Sequence, residues 1–211
     1  MPGASGWSPG WPALLPLAGF ALTLAFGIFV WSRRGHAALQ RSFAAVNVAV
    51  AVWNLDVFLL FTLRDGATAA RLDRLLQVPL IALPFLALLF FWIHLGRRLA
   101  HPVLIGFGAW AALLVGISTG PSFLAGWRRL WFGWYGTPGP LYPLFVAYVV
   151  TYVALSTGLL AHEVRTTRDH LRRTQAQYLL GANLLLGLAS LTNFLPLWDW
   201  QFLPLGNLAS G

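Results

Sequence analysis

Long apolar runs separated by short polar clusters make up almost the whole chain. Six runs reach roughly the 20 residues that a helix needs to cross a hydrocarbon core: 11–31, 42–63, 75–95, 102–120, 143–162 and 178–197. The sequence turns apolar again after Pro204, which predicts the start of a seventh helix over 204–211. The pattern predicts an all-α fold, a polytopic transmembrane helical bundle of six spans plus that start, forming a single membrane domain over 1–211. No internal repeat and no long Gly/Ser or Pro linker divides it. The opening MPGASGWSPGWP has no basic region, and no cleavage site followed by soluble sequence comes after it, so the first run reads as a span rather than a signal peptide.

Composition agrees, with 58% hydrophobic and only 9% charged residues. The net charge of +8 comes entirely from Arg, and the Arg residues flank the spans, where they determine topology and meet anionic headgroups. No basic stripe interleaves with aromatics as nucleic-acid binding requires. The absence of Cys and Lys removes disulfides, thiolate chemistry, Schiff bases and P-loop phosphate binding.

With the N-terminus outside, the inner loops hold Arg33, Arg34, Arg41, Arg97, Arg98, Arg165, Arg168, Arg172 and Arg173. The outer loops then hold Arg64, Arg71, Arg74, Arg128 and Arg129. That excess predicts a protein with its N-terminus outside. The segment 64–74, partly neutralised by Asp65 and Asp73, reads as an interfacial turn, with Leu72, Leu75 and Leu76 toward lipid. Trp7, Trp11, Trp127, Trp131, Trp134, Tyr135, Tyr142, Trp198 and Trp200 make an outer aromatic belt.

Polar groups within spans are costly and face other helices or water. Asp56 is the one carboxylate well inside a predicted span, so it can bind a cation, carry or sense a proton, or make a structural hydrogen bond or an ion pair with an Arg such as Arg64. Asn47 and Asn54 share a face of the same helix, with Asp56 about 180 degrees from Asn47. Asn183, Gly187 and Ser190 form a stripe beside Asn193, and Tyr148, Tyr152 and Ser156 form another, both suited to interhelical packing. Pro79 and Pro84 can kink the third span. His36, His94, His101, His162 and His170 lie near the inner boundary without metal-ligand spacing, so no metal and no cofactor is expected.

From the aromatic loop onward the chain reads WFGWYGTPGPLYPLF, then RRTQAQYLL, TNFLP and PLGN. These pieces resemble the seven-transmembrane N-terminal region of bacterial sensor histidine kinases, a module that also precedes cyclic-di-GMP cyclase and phosphodiesterase outputs. The resemblance implies a place in the bacterial inner membrane, a seventh helix continuing past Gly211 and a cytoplasmic output domain after it. It does not extend to AHEVRTTRDH: His162, Glu163, Arg165 and Thr166 follow the order of a phosphoacceptor box, but Thr167 stands where such boxes carry Pro. No ATP-binding motif follows, so His162 reads as the end of the fifth span.

The sequence therefore predicts a non-enzymatic membrane sensory module with the bilayer and an output domain as partners, a homodimer being compatible. Asp56, Asn54, Trp131, Trp134 and Tyr135 are the candidate sensing residues. The alternative is a small transporter or channel component that uses Asp56.

Overall fold

The computed structural model describes residues 11–33, 35, 37–97 and 101–194. A short 3-10 turn over Trp11–Ala13 leads into α1 (Leu14–Ser32), followed by α2 (Ala37–Thr62), α3 (Gly66–His94) and α4 (Pro102–Ser118). A hairpin of β1 (Leu124–Leu130) and β2 (Gly133–Pro138) precedes α5 (Tyr142–Thr166) and α6 (His170–Leu191). Four helices, α1, α2, α3 and α5, are long and apolar enough to cross a membrane, while α4 is apolar but shorter. The predicted seventh start at 204–211 and the end of the predicted sixth span lie outside the described residues.

The helix ends follow local chemistry. Asp65 caps α3, its carboxylate accepting from the amides of Ala67 and Thr68, and Asp169 caps α6 by accepting from Leu171 at 2.9 Å. The hydrogen bonds from Thr68 hold the exposed Asp65 carboxyl below its ordinary range. Gly96 ends the turn after α3 at a φ of 67°, with Arg97 N–H bonded back to Trp92 and Gly96 N–H to Ile93. Pro102 occupies the first turn of α4, where a missing amide costs nothing.

Two boundaries differ from the sequence expectation. The stretch 64–74 is not an interfacial turn: once capped by Asp65, α3 begins at Gly66 and runs on through Pro79 and Pro84. Its first two turns carry Asp73 inward, buried, instead of leaving it in a loop. Likewise α5 continues past His162 to Thr166, and α6 starts at His170, so the basic connection shrinks to 167–169.

Small residues set the helix spacing. A methyl on Gly27 of α1 would lie 3.2 Å from the Asn47 Cβ of α2, and one on Gly187 of α6 would lie 3.2 Å from Val153 of α5. The α5–α6 contact is also polar, as the stripes predicted: Asn183 Oδ1 accepts from Tyr152 at 3.0 Å and Ser156 at 3.1 Å, and Asn183 Nδ2 donates to Thr157 at 3.2 Å. Tyr148 leaves that seam and stacks on Phe107 of α4, ring centroids 4.4 Å apart. Ile81, Leu88, Leu114, Phe123 and Tyr148 form the centre of the largest buried cluster, joining α3, α4, the hairpin approach and α5.

The hairpin is the one sheet among the described residues and was not foreseen. Its strands pair antiparallel, with Arg128 opposite Tyr135 and Leu130 opposite Gly133. At the turn, Phe132 packs on Phe61 of α2 at 5.3 Å. Gly133 adopts a φ of 151° and passes so close to α2 that a Cβ there would meet the Leu60 carbonyl at 2.6 Å. Hydrophobic contact thus lays the hairpin across the ends of α2 and α3.

Candidate functional site: a buried acidic pair beneath the hairpin

Asp56 of α2 and Asp73 of α3 lie opposite each other near the hairpin end of the bundle, their carboxyl groups hydrogen-bonded together. Both are buried, at 4% and 5% exposure. A carboxylate only accepts hydrogen bonds, so this contact needs a proton on one of the two groups. Of the alternatives left open by the sequence, Asp56 thus makes a hydrogen bond, and its partner is a second acid rather than an Arg such as Arg64. The helical continuation of α3 across 66–74 brings it there.

Asp73 has further partners and Asp56 fewer. The Trp127 indole N–H of β1 donates to Asp73 Oδ2, and the Arg74 guanidinium lies over the Trp127 ring at 4.7 Å while its charge acts on Asp73. The hairpin is therefore tied to the acidic pair through one indole. Asp56 Oδ1 is buried with no hydrogen-bond partner among the described residues, as is Gln77 Oε1 one turn below Asp73 on α3.

Both residues line a cavity of about 460 Å³ that descends from the hairpin between α2, α3, α5 and α6. Asp73, Tyr135 and Asn193 share its upper wall, and Leu83, Pro84, Phe91, Phe145 and Val149 are among its apolar walls. Tyr135 of β2 donates its hydroxyl to the Asn193 carbonyl, which bridges the hairpin to the end of α6. Burial, aided by the charge of Asp73, pushes the Tyr135 phenol above its ordinary range, so it stays a donor.

The sequence candidates separate in space. Asp56 and Tyr135 line the cavity; Asn54 is buried at 1% exposure, donates to Val50 O within α2 at 3.0 Å, and is not among the cavity walls. Trp134 closes over Gly66 and donates to Leu63 O at 3.2 Å, so it seals the α2–α3 turn. Trp131, at the hairpin tip, is 56% exposed. Asp73, Gln77 and Trp127 were not named as candidates. Their signal was present: Asp65-Gly-Ala-Thr68 is a helix start, and a helix from there puts Asp73 and Gln77 on one face.

At the opposite end of the bundle, Arg97 and Glu163 approach to 3.8 Å, linking the end of α3 to α5. His162 lies nearby in sequence, inside α5.

Apolar helices, a polar chamber within them and a small sheet at one end define an integral membrane protein of the helical-bundle type, with its polar residues gathered under a non-helical cap. The chain belongs to the family of the N-terminal 7TM region of histidine kinase, whose model matches residues 15–211. It is thus a membrane-embedded sensory input module, and the bilayer and a cytoplasmic output domain in the parent protein are the partners this membership implies. No curated protein and no solved structure matches the chain.

Proposed function

We propose that this module reads a stimulus at the hairpin face and passes it on as a change in helix packing. The observation that carries the reading is the Trp127–Asp73–Asp56 connection, which joins the hairpin, α3 and α2 through buried polar groups. Such groups are expensive in a membrane protein, and parting the acid pair would give a second discrete arrangement, which is what a switch element needs. Asp56 is the central group, Tyr135 couples the same face to α6, and Trp134 and Trp131 form the contact surface of the hairpin. Asn54 supports α2 behind Asp56.

In this reading the chain crosses the bacterial inner membrane six times, begins a seventh crossing, and has its N-terminus and the hairpin outside, in keeping with the Arg distribution. Residues 1–211 act as one sensory domain without catalysis of their own. The output is a histidine kinase or a cyclic-di-GMP enzyme, and two copies working as a homodimer would suit either.

The test is a fusion of the module, extended through its seventh helix, to a kinase output, with autophosphorylation measured in proteoliposomes. Asp56→Asn and Trp127→Phe are expected to shift the basal level or abolish its response to outer-face conditions, while Leu185→Ala, on an exposed face of α6, leaves the level in place. Unchanged output in both variants, or a solute flux through the unfused module that needs Asp56, would overturn the reading.

A further inference from the structure

The cavity has a polar end made of acceptors. Asp56 Oδ1, Gln77 Oε1 and Asn193 Oδ1 are all buried and unpaired among the described residues, and all three residues line the same space. Asp56 and Gln77 are themselves 4% and 5% exposed. Burying an acceptor without a donor is costly, so three such acceptors on the wall of one cavity call for a group that brings several donors at once. An ammonium group brings three and accepts none. Below this end the walls are apolar, and a volume of about 460 Å³ suits a small organic molecule rather than a bare ion.

The charges around the pair favour the same class. Arg74 of α3 acts on Asp73, and Arg128 of β1 acts on Tyr135. The charged group acting on Asp56 is the Asp73 carboxyl, another acid. Tyr142 and Tyr152 of α5, which also line the cavity, are phenols and bring no cation. Asp73 is thus matched by Arg74 when ionised, and Asp56 is the group that lacks a cation.

We propose that the chamber binds a lipophilic primary amine in its protonated form, its ammonium group on Asp56, Gln77 and Asn193 and its tail along Leu80, Leu83 and Phe91. The inference names a ligand class for the site of the sensory reading above and rests on that reading only for its biological meaning. Binding exchanges one cation for another: the ammonium takes the place of the proton held between the carboxyls, and that proton leaves to water. The bound state then holds two carboxylates against Arg74 and the ammonium. Affinity consequently rises with pH for as long as the pair holds its proton and the amine keeps its own.

The full chain in phosphatidylcholine nanodiscs, titrated calorimetrically with octylammonium chloride in buffers of different ionisation enthalpy, tests this. Saturable binding near one per chain with proton release is expected, with 1-octanol and sodium octanoate only partitioning into lipid. Asp56→Asn keeps the side-chain shape, and Gln77→Leu leaves both acids in place. Each should weaken octylammonium binding by about tenfold or more, from loss of a hydrogen bond to a charged group. Equal octylammonium binding by the native chain and both folded variants overturns the proposal, as does binding of sodium or calcium chloride at Asp56 that octylammonium does not displace. A variant that loses its helicity is replaced in the comparison by the other. Octylammonium failing to bind while Asp56→Asn still alters kinase output sinks only the ligand class. Octylammonium binding with no effect of Asp56→Asn on output sinks the sensory reading and leaves the site.

Discussion

Replacing Trp127 by Phe removes one N–H and little else: the ring still fills its place beside Arg74, but Asp73 Oδ2 loses its indole donor. A hydrogen bond to a carboxyl group buried as Asp73 is contributes about 2 kcal/mol, the upper part of the range reflecting the charge it stabilises. This bond is not distributed through the bundle. It fastens the hairpin to α3, so its loss appears first as easier local opening of 124–138. About 2 kcal/mol corresponds to a roughly 30-fold fall in the amide protection of the hairpin. Hydrogen exchange followed by mass spectrometry in nanodiscs reads that change peptide by peptide, with α4 and α5 as internal references. Leu185→Ala, on an exposed face of α6, is the control and should leave protection within experimental scatter. Protection in Trp127→Phe within about threefold of the native protein would mean that apolar packing of Phe132 on Phe61 alone holds the hairpin, and the Trp127–Asp73 connection would lose its place as the mechanical link.

Other substitutions probe neighbouring parts of the same structure. Asn183→Ala removes three α5–α6 side-chain hydrogen bonds, and at ~0.6 kcal/mol for each such bond in a membrane the loss is about 2 kcal/mol, measurable by unfolding in denaturing detergent. A double-mutant cycle with Tyr152→Phe should show coupling between the two positions, and simple additivity would contradict the described seam. Gly133→Ala combines a rarely adopted φ with a clash on the Leu60 carbonyl, so about 2 kcal/mol of hairpin stability should be lost, again read by exchange of 124–138. Tyr135 is held protonated in the folded protein, with its value above the ordinary 10.0. Folding therefore keeps the full benefit of this group below pH 10.0 and loses it as the pH climbs from there toward the folded value, because only the unfolded phenol ionises readily. Alkaline titration of thermal stability should show that decline, and Tyr135→Phe should be flatter.

Length and hydropathy by themselves determine that this chain is helical and membrane-bound, because hydrocarbon leaves the backbone no partner except itself. Small and polar residues at helical spacing also determine much of the α5–α6 contact: Asn183, Gly187, Tyr152 and Ser156 meet as their periodicity predicts. Family membership was legible in the turn motifs of the second half, and the family model matching 15–211 agrees. Hydropathy misplaced the start of α3, since charges at Arg64, Asp65, Arg71, Asp73 and Arg74 depress the average although the Asp65 cap already marks a helix. That single boundary hid Asp73 from view as a buried group. Which polar residues meet across the bundle was decided only by tertiary structure. Asp56 and Asp73 are adjacent because α2 and α3 fold back on each other through a tight turn, and the hairpin then closes over them. The hairpin itself depends on the same packing, for an isolated two-stranded ribbon is at best marginal and this one rests on Leu60, Phe61 and Ala69. Sequence spacing lists the donors and acceptors; the fold selects which of them share a cavity and which, like Asn54, are turned away from it.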